Sequence, residues 1–123
     1  MLADAVKQLR TTIKSTNRVE VIYRRVNGLA RCVTATIGRT EFGLSEQAAI
    51  VTKWESRDFL IDVADLAAVG ITGEPQRGDT IRERQGESVH VYEVRAPDGE
   101  QHWRYSDAYR MTFRIHTKQV GIE

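Results

Sequence analysis

The chain of 123 residues fits one domain, because compact domains commonly run to about 100–150 residues. With 41% hydrophobic and 28% charged residues it is too apolar for a disordered tail and too charged for a membrane protein, and no stretch approaches the roughly 18 consecutive apolar residues of a membrane span. A net charge of only +1 argues against a generally basic nucleic-acid-coating protein.

The N-terminal residues carry no apolar leader core. The expectation is a protein that stays where it is made, or leaves inside a larger assembly. Leu2, Ala5, Val6, Leu9 and Ile13 recur at spacings of three and four, which predicts a helix over residues 2–16 with one apolar stripe. That helix either packs across one end of the domain or serves as an arm on a neighbouring subunit.

Val19, Val21 and Tyr23 then alternate in a strand, and Asn27-Gly28 signals a tight hairpin turn. Leu29 to Ile37 returns as the partner strand. Its Cys32 is the only cysteine, so no internal disulfide forms. Within Ala30–Thr34 that thiol is expected to pack as a small buried hydrophobe, which fits a reducing compartment. Arg24, Arg25 and Arg31 surround the hairpin and form a candidate contact surface for a partner or for nucleic acid; arginines on an edge hairpin also prevent aggregation.

Residues 38–49 keep no clean period. Arg39, Thr40, Glu41, Phe42, Gly43, Leu44, Ser45, Glu46 and Gln47 read as a candidate functional loop, since irregular loops of about a dozen residues are uncommon in compact domains. Thr40 to Leu44 is alternatively strand continuing from the hairpin. Residues 50–63 resume as strand, with Phe59, Ile61 and Val63 alternating. Trp54 has the opposite parity, which predicts a bulge near Ser56-Arg57. Ala64 to Val69 suits one short helical turn.

Pro75 to Val94 reads as turn, strand, reversal at Gln85-Gly86-Glu87, and strand. Asp79 is expected to bond its own backbone two residues on. Ala96–Glu100 is a turn. Tyr109, Met111, Phe113 and Ile115 alternate in a final half-buried strand, after which Thr117 to Glu123 trails off. The whole predicts a mainly β chain: a small antiparallel β-barrel or sandwich with an N-terminal helix, a single domain over 1–123 whose barrel spans 18–118.

Charge is unevenly spread. Residues 1–40 hold eight basic side chains against two acidic, whereas residues 41–100 hold six against thirteen. Such polarity serves nucleic acid, lets the basic face of one copy meet the acidic face of another, or is two solvated faces.

The search for chemistry finds no glycine-rich phosphate loop, no Cys-x-x-Cys, no His-Glu-x-x-His and no nucleophile elbow. His90, His102 and His116 stand on separate elements without metal-ligand spacing. Carboxylate pairs such as Asp58 with Asp62 read as solvated faces. No enzyme and no cofactor is expected. Trp103, Arg104 and Tyr105 form an aromatic–basic cluster open to three readings: a cap on the end of the barrel, an interface anchor, or a stacking platform for single-stranded nucleic acid.

The order of parts is informative. Helix, hairpin and irregular loop lead to Glu55-Ser56-Arg57-Asp58-Phe59-Leu60-Ile61, then Pro75-x-x-Gly78-Asp79-x-Ile81, Val89-x-Val91-Tyr92-Glu93-Val94, and a closing strand Arg110–His116. This resembles the head–tail joining (stopper, or neck) proteins of tailed bacteriophages and prophages, in which a Gly-Asp-x-Ile step followed by Tyr-x-Val recurs in a small β-barrel. The sequence departs from that pattern in its long Gln101–Tyr109 segment.

The resemblance implies a non-enzymatic virion protein, made in the bacterial cytoplasm, that forms a homo-oligomeric ring with portal or adaptor and tail proteins. DNA would pass through the ring without sequence-specific binding, and no membrane is involved. The loop Arg39–Gln47 would line or close the channel. Two other readings stay open: an OB-like single-stranded nucleic-acid binder using Arg24, Arg25, Arg31, Trp103 and Tyr105, and a tail-completion or terminator protein.

Overall fold

The computed structural model describes residues 18–44 and 52–123. The predicted helix over residues 2–16 and the loop residues Ser45, Glu46 and Gln47 lie outside the described residues. Alternation sets what the rest becomes. In β1 (Arg18–Arg24), Val21 and Tyr23 are buried with Val19 packed beside them, and β2 (Ala30–Leu44) sets Val33 opposite Val21 and Ala35 opposite Val19.

β3 (Thr52–Asp62) runs straight into the short helix α1 (Val63–Ala68), followed by β4 (Thr80–Gln85), β5 (Ser88–Val94), β6 (Trp103–Tyr105) and β7 (Thr112–Ile122). The strands pair antiparallel in the order β1–β2–β3–β7–β5–β4, and β4 pairs with β1 to close a six-stranded barrel. Closure removes the open edges of a sandwich. β6 adds a short strand beside the first half of β7.

One core fills the barrel: Tyr23, Phe59, Ile61, Ile81, Val94 and Ile115 are fully buried, and Leu66 of α1 and Ile71 join them. Each such large side chain contributes about 1.5–3 kcal/mol on leaving water.

Several expectations are corrected. The β1–β2 connection is no two-residue turn: Gly28 N–H donates to Arg25 O at 2.9 Å and Arg25 N–H to Leu29 O at 2.8 Å, and Gly28, at +102°, takes a positive φ while Asn27 does not. This is a wider loop closed by a glycine bulge. No bulge interrupts β3, whose register against β2 runs unbroken from Thr36↔Leu60 to Leu44↔Thr52. Trp54 has the parity of Ser56 and Asp58 because it belongs to the outer face of the barrel.

The bulge lies instead between β5 and β7, where Val91 faces Gly121 but Tyr92 faces Gln119. The consecutive Val91 and Tyr92 are both buried, Tyr92 in the core and Val91 on the opposite face of β5. The chain after Thr117 does not trail off, but pairs with β5 as far as Ile122. Tyr109 and Met111 precede β7 and stand 83% and 64% exposed, because Arg110 takes a positive φ of 58° and breaks the alternation. Cys32 is exposed, since the odd-numbered Val33 and Ala35 own the inner face of β2.

Candidate functional site

Among the described residues, β1 covers β2 as far as Thr36, and β7 covers β3 as far as Arg57. Beyond these limits β2 and β3 pair with each other alone among the described residues, as a two-stranded arm that leaves the barrel. Arg39, Thr40, Glu41, Phe42, Gly43 and Leu44, read from the sequence as loop or continuing strand, are its first strand.

The outer face at the base of the arm is anchored by polar chemistry. Asp58, fully buried, accepts hydrogen bonds from the hydroxyls of Thr40 and Ser56, from Arg114 Nη1 at 2.7 Å and from His116 Nδ1 at 2.8 Å. Burial alone would raise this carboxyl. The bonds from His116, Ser56, Thr40 and Arg114 outweigh it and bring the value from 3.8 to about 2. Gly38 lies opposite Asp58, where a Cβ would come within 3.1 Å of Arg114 Nη1. Its lack of a side chain leaves the guanidinium room.

Aromatic contacts extend the anchor. Phe42 packs edge-on against Trp54 at 5.7 Å and His116 at 5.0 Å, and Lys118 Nζ lies 4.7 Å from the Trp54 ring centroid. Ser56, Asp58 and His116 are the residue types of a nucleophilic triad, but their geometry is not that of one. Serine and carboxylate both face Nδ1, at 3.4 and 2.8 Å, whereas a triad places them on opposite ring nitrogens. The Ser56 hydroxyl also donates to Asp58. The cluster fastens β2, β3 and β7 together.

On the inner side of the arm's base opens a cavity of about 540 Å³ lined by Ile37, Arg39, Glu55, Arg57, Tyr92 and Gln119, among others. Arg57 there forms a two-pronged bond with Glu83, 2.9 Å on each prong, and lies over the Tyr92 ring at 5.4 Å. β3 and β4 are not neighbours, so this pair spans the lumen.

A fully buried carboxylate, Asp79, ties the far end of β2. Asp79 accepts from Tyr23 Oη at 2.5 Å, Arg25 Nη1 at 2.9 Å, and the backbone N–H groups of Val26 and Gln76 at 3.0 Å. It reaches back to Gln76 rather than forward to its own turn. Burial, with the Asp79 bond next, pushes the Tyr23 phenol up. Gly78, at φ +92°, admits the close passage of Val26, and Ile81 beyond it is fully buried. The Gly78-Asp79-x-Ile81 step is thus a structural knot.

The fold therefore separates the residues of the candidate contact surface. Arg25 is not on the surface but inside that knot, donating also to the carbonyls of Thr72 and Glu74, while Arg24 and Arg31 are exposed. Trp103 and Tyr105 pack against Phe113, with ring centroids at 5.2 and 5.6 Å, and only Arg104 between them is exposed. Among the described residues β6 pairs with β7 alone, so these aromatics do not share neighbouring strands with Arg24 and Arg31. Sequence reasoning missed the roles of Asp58, His116 and the Arg57–Glu83 pair. The one available signal was Asp58's place opposite a glycine, which needed the register to be seen.

A closed barrel with a projecting arm, its buried polar groups spent on holding strands together, defines a small β-barrel scaffold. The chain belongs to the phage head–tail joining protein family: the family model described as phage head-tail joining protein matches residues 1–123, the whole chain. The resemblance carried by the Gly-Asp-x-Ile and Tyr-x-Val steps is thereby confirmed. Membership gives the protein a structural connector role among phage head and tail proteins. A comparison with curated proteins finds no match. Among the described residues, no helix is long and apolar enough to cross a membrane.

Proposed function

We propose that this protein is a ring-forming adaptor or stopper of the virion, seated between portal and tail around the DNA channel, whose work is docking and not catalysis. The observation that carries the reading is the arm: a two-stranded ribbon that projects from a closed barrel and is fixed at its base by the Asp58 cluster in a chain of the head–tail joining family. A rigid barrel supplies the ring wall, and an anchored arm supplies reach.

In this reading the segment Arg39–Gln47 lines or closes the channel, and DNA passes without sequence-specific contact. Strong adhesion to phosphate would slow that passage, because each neutralised phosphate adds affinity. Ejection of the genome is gated by the arm. Removal of residues 43–48 is expected to leave a folded barrel and to give particles that leak DNA; full DNA retention in such particles contradicts a gating role. The single-strand-binding alternative is the weaker one, since Tyr105 is stacked on Phe113 and Trp103 packs at right angles to both rings, so the aromatics are spent on one another.

A further inference from the structure

The two ends of β2 carry exposed charge of opposite sign. On the arm, Glu41 stands directly opposite Glu55, and like charges in that position destabilise a strand pair. Both side chains are exposed, and among the described residues the cation within ion-pair reach of either is Arg39, 3.5 Å from Glu55 and itself exposed. A two-stranded ribbon is also marginal on its own. Together these features mark a surface completed by another molecule that brings a positive charge.

At the other end, beside the β1–β2 turn, Arg24 and Arg31 are exposed, and among the described residues neither has a carboxylate within ion-pair distance. Arg31 and Glu41 share one face of β2 by alternation, about 33 Å apart at a rise of about 3.3 Å per residue. Complementary charge on two separate surfaces of one chain suits a heterologous contact, in which each copy offers one surface forwards and the other backwards.

We propose that the arm of one copy docks on the β1–β2 turn of the next, with Glu41 and Glu55 meeting Arg31. The occupant is a second copy because the same chain supplies both halves of the contact. This proposal rests on the ring reading and names its subunit interface.

The test is light scattering on size-separated protein at low salt and under reducing conditions, for wild type, Arg31→Glu and Glu41→Arg. Wild type is expected to self-associate, more weakly as salt rises. Each variant alone should lose about tenfold or more in association, while keeping the circular dichroism of the folded barrel. An equimolar mixture of the two should recover assembly, because the reversed arm then meets the reversed turn and the native arm meets the native turn. Wild-type assembly by either variant alone, or a folded mixture that does not recover, overturns the docking mode and leaves the ring reading standing. A wild type that is monomeric at every concentration overturns the ring reading too.

Discussion

Arg25 and Asp79, fifty-four residues apart, meet as a buried ion pair with Nη1 2.9 Å from Oδ2. The pair binds the β1–β2 turn to the loop that enters β4, and Tyr23 joins it from inside the barrel. Removing one member of a buried pair leaves the other charge stranded, at a cost of about 3–5 kcal/mol. Arg25→Ala is therefore expected to destabilise the protein by about that amount, while the neighbouring exposed Arg24→Ala stays within about 0.5 kcal/mol of wild type. Urea unfolding of the two variants checks this, and equal effects contradict it.

The Asp58 cluster predicts a specific acid response. Its carboxyl lies at about 2 in the fold against an ordinary 3.8, so on acidification the unfolded chain takes the proton first. The stability it contributes is complete above the unfolded value and is lost as pH falls through the folded one. Wild type should weaken between pH 3.8 and about 2 more steeply than Asp58→Asn, which starts less stable at neutral pH and gives a flatter curve. Urea midpoints measured across that window decide it; parallel curves would remove the cluster as the source.

Two glycines of the arm separate packing from propensity. A Cβ on Gly38 would meet Arg114 Nη1 at 3.1 Å and Leu60 Cδ1 at 3.4 Å, whereas one on Gly43 would meet nothing within 4 Å. Gly38→Ala crowds the Arg114–Asp58 bond and is expected to cost about 1 kcal/mol or more. Gly43→Ala is expected to be neutral or to stabilise by up to about 1 kcal/mol, by restricting the unfolded chain. Thermal unfolding of the pair gives the comparison.

Much of the barrel was legible because alternation is a local signal. Val19, Val21 and Tyr23, or Phe59 and Ile61, declare their face within one strand. What alternation does not reveal is what covers the other face. Asp58 has the parity of a solvated residue, yet it is buried because Thr40, Arg114 and His116 converge on it from β2 and β7. Arg25 looked like one of three surface arginines, and only the approach of Asp79 from a distant loop draws it inward. Tyr109 and Met111 kept the rhythm of a strand that the left-handed backbone of Arg110 ends. The motif flagged for its family likeness, Gly78-Asp79-x-Ile81, proved to be the knot that holds Arg25.

The most direct test of the connector role is quantitative mass spectrometry of purified, DNA-filled particles from the producing host. The account predicts this chain at a few copies per portal ring, alongside portal and tail proteins. Its absence from intact particles, with the protein left free in the cell, would contradict a place at the head–tail junction.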